Sequence, residues 1–403
     1  MGCVIIGGGP AGMVLGLLLA RGGVEVTVLE KHGDFLRDFR GDTVHPTTLQ
    51  LLDELGLGER FARLPQSRLD RIVFPLGDGA EVCVGDLRRL RVRHPYIAMV
   101  PQWDLLTMLA EAAAEEPTFT LRMRTEATDV IRENGVVRGV RYRTADGETG
   151  EIRVDLTVAC DGRWSIARRQ RELRPKELPV PIDAWWFRLS RKESDRPTAL
   201  MPHAGAGRFM VVIPREGHLQ LGLIGRKGAD PRIRAEGVGR FRSNLAELIP
   251  WLADRVDEIE SMDDVKFLDV RLNRLRRWHV DGLLCIGDAA HAMSPIGGVG
   301  INLAVQDAVA AATLLEQPLR RGRVDVRDLA RVRARRLLPT IAVQTMQGIL
   351  HRALAMPIVN GTRNGPPKVF LGLLRRVPAV SAVPAYLIGV GLRPEHAPAF
   401  ARR

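Results

Sequence analysis

Cys3-Val4-Ile5-Ile6-Gly7-Gly8-Gly9-Pro10-Ala11-Gly12 decides how the rest of the chain is read. A short apolar run ending in glycines reads as a buried parallel strand followed by a tight turn. Ala11 to Arg21 is apolar and helix-friendly, and Gly22-Gly23 stops it. Val24 to Leu29 is a second strand with Glu30 and Lys31 at its end. That is a β-α-β unit of the expected ~30 residues. In such a unit Gly7 permits the turn, Gly9 lets a pyrophosphate approach the backbone, and Gly12 lets helix and strand pack closely. The helix start, at Pro10 and Ala11, would face phosphates with unpaired N–H groups. Glu30, 18 residues after Gly12, is placed to accept hydrogen bonds from ribose hydroxyls. This motif alone does not separate FAD from NAD.

Two later motifs do. Cys160-Asp161-Gly162 sits near the middle of the chain, and Gly287-Asp288-Ala289-Ala290-His291 runs into Pro295-Ile296-Gly297-Gly298-Val299-Gly300-Ile301-Asn302. A chain that returns to a long dinucleotide at three places points to FAD more than to NAD. Asp288, just past a strand-like run, can accept from a polyol such as ribityl. Pro295 to Gly300 has almost no side chains, so a flat ring can approach its backbone. Asn302 begins a long apolar helix whose positive end would point at that ring. His291 is expected to order the loop.

The bulk numbers narrow the class. At 403 residues two intertwined units are expected, and 45% hydrophobic with 26% charged content is ordinary for a globular protein. The net charge of +12 comes from arginine, with only six lysines. Its basic residues are scattered among acids, so no nucleic acid partner is expected. Arg331 to Arg336 reads as the solvated face of a helix. Four separated cysteines fit buried thiols in a reducing cytoplasm. No signal peptide or metal-ligand spacing is visible. Ala379 to Leu392 is too short to span a bilayer and contains Pro384. The apolar 369–392 region reads as a helical cap on the cofactor domain, with peripheral membrane attachment as the alternative.

Thr47–Leu55 and Asp104–Ala114 read as helices, Asp104 as a cap. Residues 119–158 alternate and break at Asn134-Gly135 and Asp146-Gly147, dipeptides that favour hairpin turns. Ala184–Ser190, Phe209–Ile213 and Leu219–Ile224 form a separate antiparallel set, followed by a parallel strand at Leu283–Ile286 and a helix at Asn302–Leu315. The expected fold class is α/β. A discontinuous, Rossmann-like FAD-binding domain (1–175 and 276–345) interleaves with an antiparallel-sheet substrate domain (176–275, with 66–98 contributing), and 346–403 is helical. Alternation puts Trp185, Phe187 and Leu189 on one sheet face and Trp186, Arg188 and Ser190 on the other. One face is core and one faces the cofactor; alternation does not say which. Trp185, Phe187, Phe209, Met210 and Leu221 are the pocket candidates. The apolar, Met-bearing sheet suggests a bulky hydrophobic substrate.

On these motifs residues 1 to about 320 resemble the class A flavin monooxygenases, the para-hydroxybenzoate hydroxylase-like family of FAD-dependent aromatic hydroxylases. The resemblance implies that Gly7, Gly9, Gly12 and Glu30 hold the ADP half of FAD. It places Arg40, in Phe39-Arg40-Gly41-Asp42, along the flavin, and Gln102, in Pro101-Gln102-Trp103-Asp104, against FAD. Asp161 would serve both FAD and the nicotinamide cofactor, and Asp288 the ribityl chain. Gly287 belongs to the same motif, and Pro295, Gly297, Gly298, Gly300, Ile301 and Asn302 would surround the ring. Arg208 matches a family arginine near the flavin. The implied reaction uses NADPH or NADH and O2, and a flavin hydroperoxide oxidises an aromatic or polycyclic, polyketide-like substrate. No metal is needed. His45, His203 and His218 are candidate bases by residue type only. The Trp-x-Trp-x-Ile-Pro motif of flavin halogenases is not matched by Asp183-Ala184-Trp185-Trp186-Phe187, and the length leaves no room for the thioredoxin-like domain of related hydroxylases. A reductase or dehydrogenase without oxygen insertion, and a non-catalytic flavoprotein, are the alternatives. Oligomeric state, monomer or homodimer, stays open.

Overall fold

The opening strand, Gly2–Ile6, lies at the centre of a six-stranded sheet in the order 279–280, 283–285, 156–159, 2–6, 25–29, 119–122. All pairs are parallel except the edge strand His279–Val280. The computed structural model describes residues 2–36, 43–75, 81–169, 173–195 and 200–403. Strands buried on both faces need apolar side chains throughout, which is why Val4, Ile5, Leu156, Val158, Leu283 and Leu284 read as unbroken runs. The helix Pro10–Arg21 is buried from Ala11 to Ala20, sandwiched between this sheet and other helices, as an all-round apolar helix must be. It packs against the helix Gly300–Arg320 and the helix Gln102–Ala114.

Both sequence-marked hairpins form. Asn134 (φ 49°) and Gly135 (φ 82°) supply the left-handed pair that joins Thr125–Glu133 to Val136–Thr144. Asp104 does not cap its helix; Pro101 occupies the cap and Asp104 lies inside the first turn.

The second unit is a five-stranded antiparallel sheet in the order 201–205, 208–214, 218–226, 182–190, 266–268. Strand Arg71–Pro75 runs beside it, with Val73 N–H donating to Leu200 O at 3.2 Å. One element inside 176–275 escapes the sequence pattern: the helix Asp230–Leu248, bent at Gly237 (φ 80°). Two glycines and four arginines hide its periodicity. It nevertheless covers one whole sheet face, where Trp185, Phe187, Met210, Val212 and Leu221 pack with Phe241 and Leu245.

The remainder is helical: Val326–Leu350, then Lys368–Arg376 and Ala382–Gly389. Cys3, Cys160 and Cys285 come from three adjacent strands of the parallel sheet or their ends, and no cysteine is disulfide-bonded. Burial raises all three thiols well above their ordinary range.

Candidate functional site

The three glycine-bearing motifs meet at the carboxyl ends of the parallel strands, where open α/β sheets place their ligands. A Cβ on Gly7 (φ 101°) would come within 2.8 Å of Cys160 O and 2.9 Å of Asp161 Cα. One on Gly12 would come 2.0 Å from Gly7 O. Packing against the second motif therefore demands glycine at position 7, and the turn within the first motif demands it at position 12. A Cβ on Gly287 would approach Ala11 Cβ at 3.4 Å, so the third motif reaches the same helix. Arg168 joins the last two: it donates to Asp288 O at 2.8 Å and to Ala289 O at 3.1 Å.

Other glycines are open instead of packed. A Cβ on Gly9, Gly162 or Gly300 would meet nothing within 4 Å. Gly9 and Val299 precede helices that have no side-chain cap, so first-turn N–H groups there are available to an anionic ligand. Glu30 is buried at the end of its strand and accepts from Gly8 N–H at 2.9 Å; Lys31 beside it is exposed. Asp161 accepts from Ile166 N–H at 2.8 Å through one oxygen, and its other oxygen is buried with no partner among the described residues. Burial raises this carboxyl. Asp288 is half-buried, and no described residue donates to its carboxylate. Arg40 lies outside the described residues.

The loop 295–300 is shaped by distant side chains. Gly297 and Gly298 have φ of 86° and 63°. Thr43 Oγ1 donates to Gly298 O at 2.7 Å, and His45 Nε2 lies 3.0 Å from the same oxygen. Burial lowers the His45 pKa to about 4, so the neutral ring must be the donor. His45 thus clamps the loop through this bond. Asn302 Oδ1 accepts from Thr47 and Thr48 at 2.8 and 2.7 Å. Ile301 packs on the main core. Gln102 starts its helix just beyond strand Ile97–Met99, which pairs with Thr43–Val44.

A feature absent from the sequence reading holds the other side. The helix Val326–Leu350 and the π-turn after it bury a polar stripe: Arg336, Thr340, Gln344, Gln347 and His351. Gln347 accepts from Ser294 N–H at 3.1 Å and donates to Ser294 O and Ile296 O at 2.8 and 2.9 Å. His351 Nε2 lies 2.8 Å from Ser294 Oγ, and burial lowers its pKa to about 4. Arg336 donates to Asp307 at 3.1 Å, and Asp307 in turn accepts from His291 at 2.6 Å and Gly287 N–H at 3.1 Å. Burial opposes ionisation of Asp307, but His291 and Arg336 outweigh it and hold the carboxyl below its usual range. Arg336 is 1% exposed, which corrects its reading as part of a solvated face. The one signal available was spacing: these polar residues recur at helical intervals.

The substrate-side candidates divide by face. Trp185, Phe187, Met210 and Leu221 are not brought to the loop; the unforeseen helix Asp230–Leu248 buries them on the far face. Arg208 shares that side and pairs with Glu247 at 2.6 Å, away from the loop. His203 sits at the same register as Met210, and His218 lies at a hairpin beside Glu216 O at 3.1 Å. Phe209 is on the other face, in an apolar cluster with Trp186 and Ile296. Trp186 was the overlooked residue. It also joins Ile213, Met99 and Ile388 in a neighbouring cluster, and its ring lies over Gly222, where a Cβ would come within 2.7 Å.

The model of the FAD binding domain family matches residues 1–343. This chain belongs to the FAD-dependent aromatic monooxygenases. It is 36% identical over 351 residues to 6-methylpretetramide 4-monooxygenase of Streptomyces rimosus, covering 85% of this chain and 82% of the relative. Among solved structures, the anhydrotetracycline hydroxylase OxyS of the same organism superimposes with TM-score 0.75 at 23% identity, over 96% of this chain and 75% of that one. PqsL of Pseudomonas aeruginosa, a probable FAD-dependent monooxygenase, does so with TM-score 0.75 at 22% identity, over 93% and 99%. These two show the fold. The enzyme is an FAD-dependent oxidoreductase that uses NAD(P)H and O2.

Proposed function

We propose that this monooxygenase hydroxylates a bulky, hydrophobic aromatic compound of the polyketide class, held between the loop 295–300 and the sheet face carrying Trp186, Phe209 and Ile213. The observation that carries this is the apolar cluster linking Ile296 of the loop to Trp186 and Phe209. The relative named for 6-methylpretetramide supports that substrate class. The enzyme works in the cytoplasm, where its four free thiols stay reduced.

Bound FAD supplies the electron transfer and oxygen activation. In this reading Gly7, Gly9, Pro10, Ala11, Gly12 and Glu30 receive its ADP half, Asp161 and Asp288 its hydroxyls, and Gln102 and residues 295–302 its ring. The open space at Gly9 and Gly300 and the unpaired oxygen of Asp161 suit that ligand. The uncapped end of Gly300–Arg320 favours negative charge at the ring edge. Neutral His45 fixes the Gly298 carbonyl, and the apolar wall excludes water from the substrate.

The test is turnover with NADPH, 18O-labelled oxygen and a panel of polycyclic phenols, with product read by mass spectrometry. One labelled oxygen atom in the product is expected; unlabelled product from every compound consumed would refute the proposal. Trp186→Ala should raise KM about ten-fold, the worth of one aromatic contact, and Trp185→Phe should leave KM unchanged.

A further inference from the structure

The C-terminal helices carry an exposed apolar face that the fold does not cover. Val369–Arg376 and Pro378–Gly389 are bent by 114° from one another, and each is too short to cross a bilayer. Inward, Leu374 and Ala385 are buried, and Ala385 and Ile388 join the cluster containing Trp186. Outward, Val369 is 87% and Val383 58% exposed, and Leu373, Val377, Tyr386 and Leu387 are exposed with them. Adjacent outward apolar residues on two bent helices exceed the scattered exposure of an ordinary surface.

Charge says what covers this face. From Leu329 to Pro394 the chain contains no aspartate or glutamate. Arg363, Arg375 and Arg376 are exposed on the same segment and make no ion pair with a described residue. A second copy of the face would oppose arginine to arginine, whereas an anionic lipid surface complements it. Apolar residues flanked by unpaired arginines on a short helix that lies flat match interfacial attachment.

We propose that residues 369–392 dock this enzyme on an anionic membrane surface, with the apolar face in the headgroup boundary and the arginines on lipid phosphates. The inner side of the same helices is wall to the Trp186 cluster, so docking sets the pocket's roof against the lipid, where a hydrophobic substrate concentrates. The surface stands on exposure and charge, independent of which aromatic compound is oxidised.

The experiment is co-sedimentation of full-length, FAD-loaded enzyme with phosphatidylcholine vesicles, with and without phosphatidylglycerol. Binding to the phosphatidylglycerol vesicles that weakens with salt is expected. R375Q/R376Q should weaken it about thirty-fold, at ~1 kcal/mol per arginine. L373D/V383D should reduce sedimentation to background, with flavin absorbance and melting temperature unchanged because both positions are exposed. Three results overturn the proposal: no sedimentation at low salt, binding indifferent to lipid charge and to the arginines, or a concentration-dependent dimer dispersed by L373D/V383D, which would give the face to a second copy.

Discussion

Two glycine-rich loops face the same site and are built on opposite plans. The loop at Gly7–Gly12 is largely self-sufficient. Gly7 N–H donates to Leu29 O at 2.8 Å, Gly8 N–H to Glu30, and the helix start follows from Pro10 and the close approach of Gly12. These hydrogen bonds and the Gly12 approach all lie within some thirty residues, with the approach of Cys160 and Asp161 to Gly7 added from a distance. The loop at 295–300 takes its shape from elsewhere, from Thr43, His45 and the Thr47–Thr48 pair on one side and from Gln347 and His351 on the other. A local loop fails when its own backbone is altered, and a borrowed one fails when a distant partner is.

The largest effect should break the local loop. Gly12→Val puts a side chain into Gly7 O and is expected to abolish folded, flavin-binding protein, read by the absorbance of the purified enzyme. Gly9→Ala makes the sharper contrast. It meets open space, so the FAD-free melting temperature should stay while FAD affinity falls; equal affinity would remove Gly9 from the phosphate site. Next comes Asp307→Ala, which leaves Arg336 and His291 buried without their shared carboxylate. It should cost about 3–5 kcal/mol, seen as a lower melting temperature with no change at Gly7–Gly12.

Acid tests the borrowed loop alone. His45 and His351 have folded pKa values of about 4, below the ordinary 6.5. Their neutral forms therefore stabilise the fold fully above pH ~6.5, and that contribution fades as pH falls toward 4, on the order of 3 kcal/mol for buried His45. FAD release on acidification should follow this window, and His45→Gln should flatten it. The smallest change is Gln347→Ala, which strands Ser294 and Ile296 backbone groups at about 1–3 kcal/mol. It should loosen FAD more than it lowers the melting temperature of the FAD-free chain; the reverse would make Gln347 a general packing residue.

The same contrast explains what was legible. Glycines at 7, 9 and 12 and the acid at 30 carry a spacing that local geometry imposes, so strand, turn and helix could be read together. The hairpins at Asn134 and Asp146 were legible for the same reason. Trp185 was set in the pocket and Trp186 passed over because alternation divides a strand into two faces without saying what covers either. The deciding helix, Asp230–Leu248, is rich in arginine and broken at Gly237, so its apolar stripe is thin. The stripe Arg336 to His351 was missed because its partners lie some thirty to seventy residues away, several of them backbone atoms, and backbone atoms leave no mark in a sequence.

The three thiols of the parallel sheet gain a meaning from the chemistry next to them. Oxidants such as peroxide attack thiolate far faster than thiol. Cys3, Cys160 and Cys285 sit in the strands that carry the cofactor motifs, yet burial keeps their protons on. In an enzyme that handles O2, the sulfur atoms of the central sheet are thereby held in the form that oxidants attack slowly.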